Sequence, residues 1–174
     1  LARRQRGMLH AGFERFAEAA TDLSVAVKHE PNRAENRIAF ADALIELGRY
    51  DAAADELRTA EKLEGTQSAH WKYVWGRLMY RMGRFHDSRF AFTTALLAAP
   101  GKMSHYTALA AACYHCGDPA QADKVTRAAF KKFPAFERGA AAPEMRVLVL
   151  ESLGVTPYDV LPRGSFAYTR GNFI

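Results

Sequence analysis

The sequence predicts an all-α fold: an α-solenoid of about four helix pairs, followed by a C-terminal extension. Three observations lead there. A motif returns at nearly constant spacing: Gly48-Arg49-Tyr50-Asp51-Ala52-Ala53, then Gly83-Arg84-Phe85-His86-Asp87-Ser88 35 residues later, then Gly117-Asp118-Pro119-Ala120-Gln121-Ala122 after another 34. Small residues recur in register with it, and so do helix-stopping residues. Self-similarity at this period marks stacked supersecondary units, none of which can bury its apolar face alone.

The units run over residues 1–33, 34–68, 69–102 and 103–136, each read as two helices joined by a tight turn. Gly48, Gly83 and Gly117 end the first helix of their units, where left-handed backbone is cheap for glycine. In the first unit Glu14 holds that place, ahead of Arg15-Phe16-Ala17-Glu18-Ala19. An aromatic follows the turn at Phe16, Tyr50 and Phe85, and Pro119 replaces it in the fourth unit, where it can open the next helix. Small residues recur in the second helices at Ala19, Ala53, Ser88 and Ala122, and again at Ala26, Ala60, Ala95 and Ala129. A small side chain repeated at one helical spot implies that two helix axes come close there. Larger residues lie between at Leu23, Leu57 and Phe92, with Thr126 as the weak member. Pro31, Gly65, Pro100 and Pro134 stop the second helices. In the first helices the small positions are Gly7, Ala41, Gly76 and Ala110, with Phe40, Trp75 and Leu109 just before three of them.

This ensemble over residues 1–136 resembles the tetratricopeptide repeat family. The departures are Arg6 where a large apolar residue is usual, Gly65 in place of proline, and one extra residue in the second unit. The resemblance implies a right-handed superhelix of antiparallel helix pairs, with a concave groove lined mainly by the first helix of each pair. It does not extend to the subgroup that clamps chaperone C-terminal carboxylates. The positions expected to hold Lys and Asn carry Arg4 and Met8, and the next expected Asn falls on Ala39.

After the fourth unit the period breaks. Residues 137–142 read as a linker, and Glu144-Met145-Arg146-Val147-Leu148-Val149-Leu150-Glu151-Ser152-Leu153-Gly154 follows Pro143. As a helix it has favourable ends and would cap the last unit. As a strand it has the apolar run 147–150. Periodicity does not separate the two. Residues 143–174 are therefore either a capping helix with a tail or the start of a truncated second domain.

Composition narrows the function. A chain of 174 residues, 49% apolar and 25% charged, suits one domain of ordinary size. No run of about 18 apolar residues predicts a membrane span. No apolar segment of a secretory signal follows the basic start, and the reading favours a cytoplasmic location. The net charge of +5 is spread along the chain rather than gathered on one element, which makes nucleic acid an unlikely ligand. Cys113-Tyr114-His115-Cys116 has the spacing of a metal or redox pair, but no second pair accompanies it; His105 is the one nearby candidate ligand. Both cysteines fall on core positions of the repeat, which is the preferred reading. No metal, cofactor or catalytic residue is expected, and no phosphate-binding or nucleophile motif occurs.

The groove supplies the candidate site. Registering the units places Arg4 and Met8 on it from the first, then Ile38, Asp42, Ile45 and Glu46 from the second. The third adds Tyr73, Arg77, Tyr80 and Arg81, and the fourth Thr107, Ala111, Tyr114 and His115. Tyr73, Arg77, Tyr80 and Arg81 form one helical stripe of residue types that anchor interfaces. The expected function is a non-catalytic protein-interaction module that binds a peptide or partner helix of acidic and apolar character. The alternative is the N-terminal helical domain of a larger enzyme whose catalytic part begins near residue 144.

Overall fold

The structure, a computed structural model, describes residue 4, residues 15–64 and residues 68–134. The linker over 137–142, the helix-or-strand segment over 145–153, and the candidate Met8 lie outside the described residues. Seven helices are described: α1 (Phe16–His29), α2 (Ala34–Glu46), α3 (Tyr50–Glu64), α4 (Ala69–Arg81), α5 (Phe85–Ala98), α6 (Met103–His115) and α7 (Pro119–Lys132). No strand occurs among the described residues. The fold is an all-α solenoid. Compactness divides the chain into two units, Leu1–His105 and Tyr106–Ile174.

The turns follow from glycine. Gly48, Gly83 and Gly117 have φ of 71°, 75° and 77°, which other residues adopt only with strain. At the end of α2, Gly48 donates its N–H to the Ile45 carbonyl at 3.0 Å and Arg49 donates to Leu44 at 2.9 Å. The same pair of bonds closes α4, from Gly83 to Tyr80 and Arg84 to Met79, and α6, from Gly117 to Tyr114 and Asp118 to Cys113. This is the Schellman arrangement, which satisfies carbonyls that a helix end otherwise leaves orphaned. Starts are made locally too. The Ser68 hydroxyl caps α4 by accepting from the Trp71 N–H, and Asp118 caps α7 by accepting from the Gln121 N–H.

In the first unit α1 packs on α2, α2 on α3, α3 on α4 and α4 on α5, and the successive first helices α2 and α4 also touch. The main core gathers Ile38, Leu44 and Ile45 from α2, Leu57 from α3, and Trp71, Val74, Leu78 and Met79 from α4. Complete burial of a side chain such as Leu57 contributes about 1.5–3 kcal/mol. The recurrent small residues lie at the contacts: Ala19, Ala53, Ser88, Ala60 and Ala95 are all fully buried. Trp71 adds a polar tether, donating its indole N–H to the Leu57 carbonyl of α3 at 2.8 Å and stacking on Trp75 with centroids 5.2 Å apart.

In the second unit, Ala110, Cys113, Ala122, Val125, Ala129 and Phe130 are buried. Tyr106 meets Phe133 edge to face at 5.8 Å. Cys113 is buried and Cys116 half-buried, and the two form no disulfide.

Candidate functional site

The first helices of the second and third repeats present a charged face. Asp42 and Glu46 stand one turn apart on α2, and Arg77 and Arg81 one turn apart on α4. Asp42 and Arg77 are 35 positions apart, as are Glu46 and Arg81, so each pair occupies one register position in neighbouring units. Because α2 and α4 touch, equal register brings the side chains together. Arg77 pairs with Asp42 through Nη1 and with Glu46 through Nη2, and Arg81 Nη2 donates to Glu46 at 2.9 Å. Burial opposes the charge of Arg77, yet Asp42, Tyr73 and Glu46 beside it raise its pKa above the ordinary arginine value.

This geometry corrects one expectation. Read singly, Arg77 and Arg81 make the face positive and suited to an acidic ligand. Two carboxylates match two guanidiniums here, so the cluster has no formal excess of charge. The arginine donors already hold acids from this chain, and an incoming carboxylate would have to displace them against Asp42 and Glu46.

The remaining candidates divide by burial. Ile38 and Ile45 are each only 1% exposed and belong to the core, as does Ala111 at 1%. These three leave the set of ligand-facing residues: on α2 and α6 the apolar stripe is wide enough to take them inward. Tyr73 is half-buried, packs on the main core and is tilted against Phe92 at 5.6 Å. It also stacks on His105 at 4.9 Å. Burial pushes its phenol pKa up. Tyr73 thus works mostly as packing. Tyr80 is half-buried and sets its ring edge to face with Phe85 at 5.4 Å. Arg4 is half-buried in helical backbone, Thr107 is half-buried, and Arg81 is exposed. In the second compact unit Tyr114 is half-buried and touches exposed His115, with ring centroids 5.9 Å apart.

His105, the one candidate metal ligand beyond the cysteines, is 1% exposed and occupied by Tyr73 on one face. Burial lowers its pKa, helped by Lys102, while the carbonyls of Ala99 and Ala95 work the other way. Among the described residues no group of three or more His, Cys, Asp or Glu could hold a metal ion. Among them, too, no helix is long and apolar enough to cross a membrane.

The fold and this face define a class, a helical-repeat protein built from helix pairs. Residues 10–78 match the tetratricopeptide repeat family. Solved structures share the fold. One crystal structure of MamA is 19% identical with a TM-score of 0.60, covering 88% of this chain and 88% of that one. A second of MamA protein is 18% identical with a TM-score of 0.60, covering 91% of this chain and 85% of that one. A tetratricopeptide repeat protein from Parabacteroides merdae is 15% identical with a TM-score of 0.65, covering 87% of this chain and 63% of that one. No curated protein matches the chain.

Proposed function

We propose that this chain is a non-catalytic protein-interaction scaffold and that the α2–α4 face is where a partner segment binds. The observation that supports it most is the row formed by Asp42, Glu46, Arg77 and Arg81. These four side chains stay partly exposed, at 33%, 13%, 18% and 33%, and hold one another in place across two repeats. A preorganised row of donors and acceptors loses little entropy on binding. Balanced charge favours a segment that offers backbone amides and residues of both signs over a purely acidic one. Tyr80, beside the row, supplies rigid apolar area of the kind that anchors interfaces.

The test is selection from a displayed random-peptide library on the immobilised protein. Selected peptides should lose affinity for Tyr80→Ala at every salt concentration, by about 1–2 kcal/mol. Their loss with Arg81→Ala should shrink as salt rises, because Arg81 is exposed and screened. Selected peptides that bind both variants like the parent would remove this face as the site.

A further inference from the structure

Toward the start of α4 the charges along this face are no longer matched. His70 opens the stripe that runs on through Tyr73, Arg77 and Arg81, at i, i+3, i+7 and i+11 of one helix. Tyr73 links this end of the stripe to the start of α6. Its ring stacks on His105 with centroids 4.9 Å apart, and its hydroxyl lies within hydrogen-bonding reach of Ser104. Lys102, in the turn before α6, is close enough to disfavour a proton on both His70 and His105. His70, Lys102 and Ser104 are all exposed, and all belong to the first compact unit.

The acids bordering this place are engaged elsewhere. Asp42 and Glu46 hold the two arginines. Glu35, which stands in the register of His70 on α2, pairs with Arg33 at 3.4 Å. Glu64 of α3 accepts the Ser68 N–H at 3.2 Å. Among the described residues no carboxylate pairs with Lys102. His70 is open to solvent, yet enough protein surrounds it that desolvation is the first influence on its ring, lowering its pKa. Asp42 from α2 and Glu64 from α3 oppose that shift, while Lys102 and Arg77 add to it. A side chain both reached by water and crowded by protein lies in a hollow rather than on a ridge.

We propose, resting on the reading of the α2–α4 face as the partner's site, that this hollow receives an Asp or Glu side chain of the bound segment, with Lys102 and protonated His70 as its counter-ions. Charge complementarity selects that chemistry. A cationic side chain here would meet Lys102 and Arg77, and an apolar one would strip water from Lys102 with nothing in return. The arginines cannot take the same acid without displacing Asp42 and Glu46. The segment's register is thereby set, with its acid roughly 10 Å along α4 from Arg77. Binding of a carboxylate also favours the proton on His70. In the free protein that ring titrates below its ordinary 6.5, and an adjacent carboxylate raises it. Proton uptake therefore accompanies binding, and affinity grows as pH falls through the bound-state pKa, while the segment's own carboxylate stays ionised.

The probes are peptides selected from the random library on the parent protein, each also made with its Asp and Glu residues changed singly to Asn and Gln. Isothermal titration on the whole chain at pH 7.5 should find one acidic position whose amide binds about two- to fivefold more weakly. Acid and amide should bind Lys102→Met alike. Lowering the pH to 5.5 should tighten the acidic peptide on the parent by about fivefold and leave its affinity for His70→Gln unchanged. Selection repeated on Lys102→Glu should bring Lys or Arg to that position. Peptides that need Tyr80 and Arg81 but bind Lys102→Met like the parent would overturn this inference and leave the groove standing. A pH effect that persists in His70→Gln would remove His70 from it. Peptides indifferent to Tyr80, Arg81 and Lys102 alike would remove the groove and this inference together.

Discussion

Gly76 of α4 lies directly against the ring of Phe92 of α5: a Cβ built on Gly76 would stand 2.6 Å from two of the ring carbons. The corresponding residues of the second repeat are Ala41 and Leu57, both fully buried. In these two repeats one pair of positions thus holds a small and a large residue, and the third has moved a methyl's worth of volume from one helix to the other.

Gly76→Ala should therefore destabilise the protein even though alanine is the better helix former. The helix propensity gain is about 1 kcal/mol. Against it stands overpacking, typically about 1–3 kcal/mol, because the ring that must shift is itself buried, at 1% exposure. A net loss of up to about 2 kcal/mol is expected by urea denaturation. Adding Phe92→Leu, which recreates the second repeat's pair, should recover part of it. A single variant as stable as the parent would contradict the close contact.

Arg77→Leu should cost about 1–3 kcal/mol. Loss of the guanidinium leaves Asp42 and Glu46 facing each other one turn apart, half out of water, without their shared cation. The cost lies between that of an exposed pair and a fully buried one. In a Glu46→Gln background the same substitution should cost less, and a double-mutant cycle measures the coupling. Additive effects would mean that the pairing contributes nothing.

His105 predicts how stability depends on pH. The unfolded chain takes up a proton at this ring near the ordinary value of 6.5, whereas the folded chain resists it because the ring is buried against Tyr73 with Lys102 and His70 contributing repulsion. Protonation thus favours unfolding, so this contribution to stability is present above about pH 6.5 and declines as pH falls through that value toward the lower folded pKa. His105→Phe should flatten that decline between neutral and mildly acid pH in denaturation series. An unchanged slope would show that other groups produce it.

Much of the fold was legible in the sequence because glycine and alanine carry unambiguous physical demands. Gly48, Gly83 and Gly117 mark where the backbone needs positive φ, and Ala53, Ala60 and Ala95 mark where helices approach. The site was read less well. Asp42, Glu46, Arg77 and Arg81 were picked out as facing residues, but their mutual pairing was missed. The signal was present: 35 positions separate each acid from its base, and equal register on neighbouring first helices means adjacency. Ile38 and Ile45 went astray for a different reason. Helical periodicity gives a direction around the axis but not the width of the buried arc, which the packing of α1, α3 and α4 around α2 decides. The exposed Phe90 and Leu97 of α5 were not legible from the repeat, because its signature in the second helices marks the buried positions Ser88, Phe92 and Ala95 and leaves the outward ones unspecified.

The row of acids and bases has a consequence for how the chain is ordered. Identical units would be interchangeable, free to stack in any sequence and to slip by one unit. Here the second repeat offers carboxylates where the third offers guanidiniums. Two copies of the second set side by side would face Asp42 with Asp42 and Glu46 with Glu46, and two copies of the third would oppose arginine with arginine. The two repeats therefore behave like unlike poles. They can be duplicated as a pair more readily than singly, and the array carries in its charges a memory of which unit follows which.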